Sequence, residues 1–148
     1  MVTYLRTIPA QAGGPPAAPA TVTALASPDP TGARLFNQAC AGCHLPDGTG
    51  RQSPWAALGG SHTASDPAGT NLVQALAHGT QQDTAQGLMF MHSFTGGYTS
   101  GELASIANYL IGQTSGRQGQ VTDKQIEAER GTDAHKPTDP PPQTADLK

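Results

Sequence analysis

Apolar residues recur at helical spacing through the middle of the chain and predict an all-α fold. The first such helix follows Thr31, which can cap its start. It carries Leu35, Phe36 and Ala39 on one side, at i, i+1 and i+4. Gly32 lies one turn before Phe36, where a missing side chain leaves room for another backbone. We therefore expect a later helix to cross the first one at this glycine.

Two further helices are predicted within residues 31–112. Residues 70–79 form a short apolar pattern that ends at a glycine, a common C-terminal stop. The longest pattern starts with a capping box, in which Thr99 is the N-cap and Glu102 lies three residues later. From Leu103 its apolar positions recur at i+3, i+4, i+7 and i+8, and Gly112 is expected to end it.

The distribution of prolines divides the chain into four parts. Ten of the thirteen prolines lie outside residues 31–112. We predict the end of a preceding helix plus a Pro/Ala-rich linker at 1–30, a folded domain at 31–112, a C-terminal extension with a short capped helix at 113–130, and a disordered proline-rich tail at 131–148. The folded segment has few large apolar side chains, so a bulky apolar cofactor would help it to fold.

Charge and hydropathy exclude several classes of function. The formal net charge is −3, and the segment 31–112 contains only two arginines against four acidic residues. Nucleic-acid binding requires a clustered basic face, which this composition does not supply. No apolar run approaches the roughly 18 residues of a membrane span. Prolines also interrupt the N-terminal segment where a secretory signal would need an apolar core.

The candidate chemistry is concentrated in one motif, Cys40-Ala41-Gly42-Cys43-His44, which holds both cysteines of the chain. Covalent haem attachment requires this arrangement, because each sulfur adds to one vinyl group and the adjacent imidazole ligates the iron. The motif therefore predicts one covalent haem c bound through Cys40 and Cys43, with His44 as the proximal iron ligand.

Haem-free alternatives fit the motif less well. A thiol redox pair would be expected at a strand-to-helix junction, and no apolar β-branched strand precedes Cys40. A structural zinc site needs four ligands, and no second Cys/His pair follows at finger-like spacing. Both remain alternatives to the haem prediction.

Residues 51–65 and 80–87 are predicted to be loops, the first because it shows no sustained period and the second because it is polar. In the first, residues 51–65, Trp55 and Leu58 are the only large apolar side chains, and we expect them to pack on the haem or beside it. A backbone carbonyl between residues 54 and 57 is expected to accept the Nδ1 proton of His44 and so orient the ring. His78, next to a helix stop, is predicted to be solvated rather than a ligand.

The distal iron ligand is sought among the methionines. Two of the three methionines, Met89 and Met91, lie 45 and 47 residues after His44. A thioether opposite the imidazole favours reduced iron and raises the potential, which suits electron transfer. Spacing alone leaves both methionines open, and the adjacent His92 is a third conceivable ligand.

The order of these features resembles the class I c-type cytochrome domain. That resemblance implies three to four helices around a covalently bound haem, with the first and last helices crossing at Gly32, Phe36 and Tyr109. Members commonly carry the axial methionine in a Met-Pro-x-Phe stretch before the last helix. The corresponding stretch here is Met91-His92-Ser93-Phe94, with a histidine in place of the proline. The resemblance therefore selects Met91 as the distal ligand and implies that Phe94 packs near the haem.

Residues 31–130 also resemble the last haem domain of multi-haem cytochrome subunits of bacterial membrane-bound alcohol, gluconate or aldehyde dehydrogenases. The stretches that carry this resemblance are 58–61, 70–72, 90–94, 107–110 and 121–126. It implies an electron-transfer domain rather than an enzyme, which passes electrons from a dehydrogenase subunit or an upstream haem domain to quinone or another redox carrier. It further implies a periplasmic location, membrane association only through the parent complex, and a chain that is a fragment of a longer subunit. A haem sensor or haem enzyme with a labile sixth ligand is the alternative.

Overall fold

The computed structural model describes residues 29–50, 54–85 and 87–130. The predicted disordered tail lies outside these residues, as does the predicted N-terminal helix end and linker up to residue 28. Asp29 and Pro30, which the linker was expected to include, belong to the start of the first helix. The elements of the described part are the helices α1 (Pro30–Ala39), α2 (Ala41–His44), α3 (His62–Ser65), α4 (Thr70–His78), α5 (Ser100–Ser115) and α6 (Asp123–Arg130), a 3-10 turn (Pro54–Ala56), and the strands β1 (Thr80–Thr84) and β2 (Gly87–Met91). Helices dominate, and the all-α class is confirmed.

Helices α1 and α5 cross where Gly32 meets α5. A Cβ added at Gly32 would overlap the carbonyl oxygen of Ser105 and lie 2.7 Å from Cβ of Tyr109. One turn later on α1, the ring centroid of Phe36 lies 5.4 Å from that of Tyr109. The crossing predicted from the glycine and the aromatic residues is confirmed, because only a residue without a side chain lets the two backbones come this close.

The apolar core forms between these two helices and the elements packed on them. Most of its buried members come from α1, α4 and α5, and they include Leu35, Leu76, Leu103 and Ile111. Ile126 of α6 is fully buried among them. The segment that follows α5 therefore contributes to the same core as the segment 31–112.

The ends of α1 and α5 differ from the sequence prediction. Asp29, not Thr31, caps α1: its carboxylate accepts a hydrogen bond from the Gly32 amide at 2.9 Å. The helix starts at Pro30, whose ring suits the first helical position and needs no amide partner. Helix α5 continues past Gly112 to Ser115, and Gly116 supplies the left-handed residue that ends it.

The predicted caps of the last two helices are confirmed. Thr99 and Glu102 form a reciprocal capping box at the start of α5. Before α6, the Gln125 amide donates to the Thr122 hydroxyl at 3.3 Å, and the Thr122 amide donates back to the Gln125 side chain at 2.8 Å. These bonds satisfy amides that the first helical turn leaves without partners.

Two regions that were predicted as loops contain regular structure. Residues 54–65 include the 3-10 turn and α3. Strands β1 and β2 form an antiparallel hairpin in which Thr80 faces Met91 and Thr84 faces Gly87. The polar composition of β1 carries no alternating apolar signal, so nothing in its sequence pattern indicated a strand.

Candidate functional site

The cysteine motif forms a tight helical turn at the junction of α1 and α2. Cys40 is both the C-cap of α1 and the N-cap of α2. Its carbonyl oxygen accepts a hydrogen bond from the His44 backbone amide at 2.9 Å. Residues three and four apart lie on the same side of a helical turn. Cys40, Cys43 and His44 are therefore presented together, and all three line one cleft.

The His44 ring is oriented by a backbone carbonyl. Its Nδ1 lies 2.7 Å from the carbonyl oxygen of Ala56, inside the stretch 54–57 where an acceptor was predicted. A carbonyl can only accept, so Nδ1 donates and the neutral ring leaves the lone pair of Nε2 available to a metal. Such a bond fixes the tautomer of a ligating histidine and raises its basicity.

The carbonyl of Ala56 is held in place by the turn that follows the motif. The Gly50 amide donates to the His44 carbonyl at 2.8 Å, and the Leu58 amide donates to the Gly48 carbonyl at 2.8 Å. Gly50 has a φ of +79°, and a Cβ there would lie 2.7 Å from the Ala57 nitrogen. This glycine is therefore needed both for its backbone conformation and for the close approach of the 3-10 turn.

The cleft beside the motif has a volume of about 280 Å³, close to the lower end of the range for small-molecule sites, and opens to solvent. Its walls are mainly apolar, with Phe36, Leu72, Ile106 and Leu110 at the core side. The described residues that line it include no aspartate, glutamate, lysine or arginine. An apolar slot with two thiols and one free imidazole nitrogen at its wall fits a covalently bound haem.

The hairpin supplies the opposite wall of the cleft. Side chains of a strand alternate between its two faces. Met89 and Met91 are the partly buried positions of β2, whereas Leu88 and Phe90 are exposed. Both thioethers line the cleft, as does His92, so the structure brings together all three residues considered as distal ligands. Met91 also packs against the apolar core.

Helix α4 sets the position of the Met91 end of the hairpin. Gly79, which ends α4, has a φ of +78°, and a Cβ there would overlap the Met91 carbonyl oxygen and lie 3.0 Å from the His92 carbonyl carbon. The sequence pattern identified Gly79 only as a helix stop. Its second role is to permit contact with the end of β2, which could be recognised only once the fold was known to bring the end of β2 back to the end of α4.

The three predicted packing residues differ in burial. Phe94 is buried and its ring lies 4.3 Å from that of His92, centroid to centroid. Leu58 is partly buried against the core. Trp55 is 55% exposed and stands at the rim. All three line the cleft, so each could contact a flat apolar cofactor held there.

The protonation of Cys40 bears on the thiol redox alternative. Burial raises the pKa of the Cys40 thiol to about 11, and the neighbouring Cys43 adds to the rise. A redox-active dithiol depends on a thiolate whose pKa is lowered. The described residues also contain no cluster of three or more His, Cys, Asp or Glu side chains able to hold a metal ion. Neither observation favours the haem-free alternatives.

His78 differs from its prediction as a solvated residue. Its Nε2 lies 3.0 Å from a carboxylate oxygen of Glu129 on α6, and its side chain is only 20% exposed.

A second interaction that the sequence did not reveal joins Asn108 to the chain after α5. The Asn108 side-chain nitrogen donates to the Val121 carbonyl at 2.8 Å, and the Asn108 side-chain oxygen accepts a hydrogen bond from the Val121 backbone amide at 2.9 Å. Residues 78 and 129 are 51 positions apart in the sequence, and residues 108 and 121 are 13 apart. No local sequence pattern indicates either contact.

A helical domain with a C-x-x-C-H turn beside an apolar cleft has the architecture of a c-type haem protein. The chain matches the family model for cytochrome c over residues 30–114, more than half of its length, and it belongs to the cytochrome c family. Covalent haem c and electron transport follow from that membership. Comparison with curated proteins found no matching relative. In the described part of the chain, no helix has the length and apolar character that crossing a membrane requires.

Proposed function

We propose that this domain passes single electrons through one haem c that is linked to Cys40 and Cys43 and ligated by His44 and Met91. When bound, haem c supplies an iron that alternates between the ferric and ferrous states. The observation that carries the proposal is the 2.7 Å hydrogen bond from His44 Nδ1 to the Ala56 carbonyl, on the wall of a cleft that the two cysteines and Met91 also line.

Each residue has a distinct part in this proposal. The two cysteine sulfurs hold the group covalently, and His44 donates the Nε2 lone pair that its bonded Nδ1 leaves available. Met91 would supply the second protein ligand to the iron, which would favour the reduced metal and keep small molecules away from it. Trp55, Leu58 and Phe94 cover apolar surface and exclude water.

The wider relay rests on the resemblance to multi-haem dehydrogenase subunits. We place the domain at the periplasmic face of the cytoplasmic membrane, within a complex that anchors it. There it takes electrons from a dehydrogenase subunit or a preceding haem domain and delivers them to quinone or another redox carrier. The open side of the cleft, beside the motif and Trp55, is the surface for these exchanges, since electron transfer requires close approach to the haem edge.

Covalent attachment is tested by expressing the full chain with the cytochrome c maturation machinery. We expect a c-type reduced-minus-oxidised spectrum, a pyridine haemochrome of the thioether-linked type, and an intact mass increased by one haem with neither thiol free to alkylation. The Cys40→Ser, Cys43→Ser double variant serves as the control and should gain no haem. A wild-type chain that matures without a c-type spectrum would contradict the proposal.

Axial ligation is tested with two methionine variants. Met91→Ala should lose the long-wavelength sulfur-to-iron band of the oxidised protein and lower its reduction potential. Met89→Ala is the matched control, because it removes a thioether from the same strand face, and it should retain both properties. Rapid carbon monoxide binding by the reduced wild type would instead favour a sensor or enzyme with a labile sixth ligand.

A further inference from the structure

Arg130, at the end of α6, contacts two residues between β2 and α5 and also the first residue of α5. Its Nε donates to the Ser100 hydroxyl at 2.8 Å, its Nη1 donates to the Thr95 carbonyl at 2.6 Å, and its Nη2 donates to the Tyr98 carbonyl. The Arg130 side chain is only 24% exposed. A planar fork with fixed donors can bind several acceptors at once and hold them in one geometry.

Neighbouring side chains add further contacts to these hydrogen bonds. The Ser100 hydroxyl that accepts from Arg130 donates to a carboxylate oxygen of Glu127 at 2.6 Å, and that oxygen lies 3.6 Å from Arg130 Nε. One residue before Arg130, Glu129 pairs with His78 at the end of α4. The helix itself is fixed by Ile126, which is fully buried in the core. Helix α6 thus connects α4 with the residue 95–100 segment.

The chain between these two attachment points is the segment that follows Met91. The Phe94 amide donates to the Leu76 carbonyl at 3.0 Å, and the Ser93 hydroxyl donates to the Ala77 carbonyl at 2.5 Å. The Tyr98 amide in turn donates to the Phe94 carbonyl at 3.2 Å. Residues 93–98 are therefore held on one side by α4 and on the other by Arg130.

We infer that Arg130 is a positioning residue for Met91: by fixing the segment 95–100 from outside, it keeps the preceding strand end pressed on α4 and the Met91 thioether at the cleft. The inference rests on the proposed axial role of Met91. It concerns a residue that does not line the cleft and lies outside the matched cytochrome c segment. A helix attached after the domain thus acts on the distal side of the proposed haem site.

The test compares Arg130→Gln with Lys124→Gln in the full haem-loaded chain. Lys124 lies exposed on the same helix, so its replacement removes the same charge without the three contacts. For Arg130→Gln we expect the Phe94 and Tyr98 amides to exchange with solvent at least about tenfold faster, since hydrogen bonds to charged groups are among the stronger ones. We also expect about tenfold faster carbon monoxide binding to the reduced protein and a weaker sulfur-to-iron band. Lys124→Gln should match wild type in all three measurements.

A conservative variant separates charge from geometry. Arg130→Lys keeps the charge but lacks the planar fork, so it should remain close to Arg130→Gln in carbon monoxide binding. Full wild-type behaviour in Arg130→Lys would overturn the assigned role of the fork. If Met91→Ala loses the sulfur-to-iron band while Arg130→Gln leaves the band, carbon monoxide binding and amide exchange unchanged, the axial assignment stands and the inference fails. If Met91→Ala retains the band, both fail.

Discussion

The His44 imidazole donates a 2.7 Å hydrogen bond to the Ala56 carbonyl, which joins the end of the cysteine motif to the 3-10 turn twelve residues later. Ala56 contributes only its backbone to this bond, so no substitution at 56 removes the acceptor. The position of that carbonyl depends instead on Gly50, where a Cβ would lie 2.8 Å from the Ala56 carbonyl carbon. Gly50 is therefore the residue through which the bond can be tested.

Gly50→Ala should shift the Ala56 carbonyl and weaken its bond to His44. A less basic imidazole stabilises ferric iron less, so the reduction potential should rise. Gly60→Ala is the matched control, because Gly60 has a φ of +77° against +79° at Gly50 and nothing within 4 Å of an added Cβ. Potentiometric titration of both variants measures the difference. If Gly50→Ala and Gly60→Ala had the same reduction potential, the result would contradict a specific effect of the Ala56 carbonyl.

Gly79→Ala should displace the Met91 end of the hairpin. The added Cβ would overlap the Met91 carbonyl oxygen, and α4 cannot withdraw because Leu72, Val73 and Leu76 anchor it in the core. We expect a reduced sulfur-to-iron band and faster carbon monoxide binding. Gly60→Ala again controls for left-handed strain, since its φ is within a degree of that at Gly79. An unchanged band in Gly79→Ala would mean that the strand end has room to move.

Gly32→Ala should destabilise the crossing of α1 and α5 by about 2 to 3 kcal/mol, because neither backbone can yield without disturbing the core. Gly101→Ala is a suitable control: Gly101 also lies in a helix, and an added Cβ there meets nothing within 4 Å. That variant should change stability by less than about 1 kcal/mol, in the stabilising direction. Urea unfolding monitored by circular dichroism gives both values. A Gly32→Ala protein as stable as wild type would contradict the close packing.

The capping box of α5 should make part of the stability depend on pH. Hydrogen bonds from the Thr99 amide and then from its hydroxyl hold the pKa of Glu102 below its ordinary range. The folded state therefore favours the carboxylate, and its contribution is complete above the ordinary carboxyl pKa and is lost as the pH falls through the lowered value. Unfolding free energies of wild type and Glu102→Gln, measured from neutral to acidic pH, should converge on acidification.

A thermodynamic cycle provides the control for that prediction. Thr99→Ala should cost about 1 kcal/mol, as for other N-caps. In the Thr99→Ala background, the effect of Glu102→Gln on the free energy of unfolding should depend less on pH. The reason is that the hydroxyl donor is gone and only the backbone donor remains. A pH dependence equal to that in the wild-type background would contradict a role for the hydroxyl.

The sequence predicts best the features that local chemistry determines. The capping boxes, α4 and the Gly32 crossing follow from residues that are close together or from an apolar period. The N-cap of α1 was predicted two residues too late. Asp29 and Thr31 can both cap a helix, and Asp29 is the cap because Pro30 occupies the first helical position. The end of α5 was predicted too early, since Gly112 tolerates helical backbone and Gly116 is the residue in the left-handed region.

Within the candidate site, the residues that line the cleft could be predicted, but the backbone elements that support them could not. Cys40, Cys43 and His44 follow from their spacing, and the cleft residues Met89, Met91 and His92 from their chemistry and order. The hairpin that presents them was missed because Gln81, Gln82 and Asp83 are poor strand formers, and pairing with β2 overrides that preference. The Arg130 and His78 contacts join distant parts of the chain, which no local pattern can reveal.

The uncharged wall of the cleft continues into an apolar rim, where Trp55 and Phe90 stand 55% and 74% exposed. Contact through such a rim would bury apolar surface instead of pairing opposite charges. Added salt screens charge pairs but has little effect on apolar contact. The rate at which a redox partner exchanges electrons across this rim should therefore vary little with ionic strength, and a carrier that docks by long-range electrostatic steering would be a poor match.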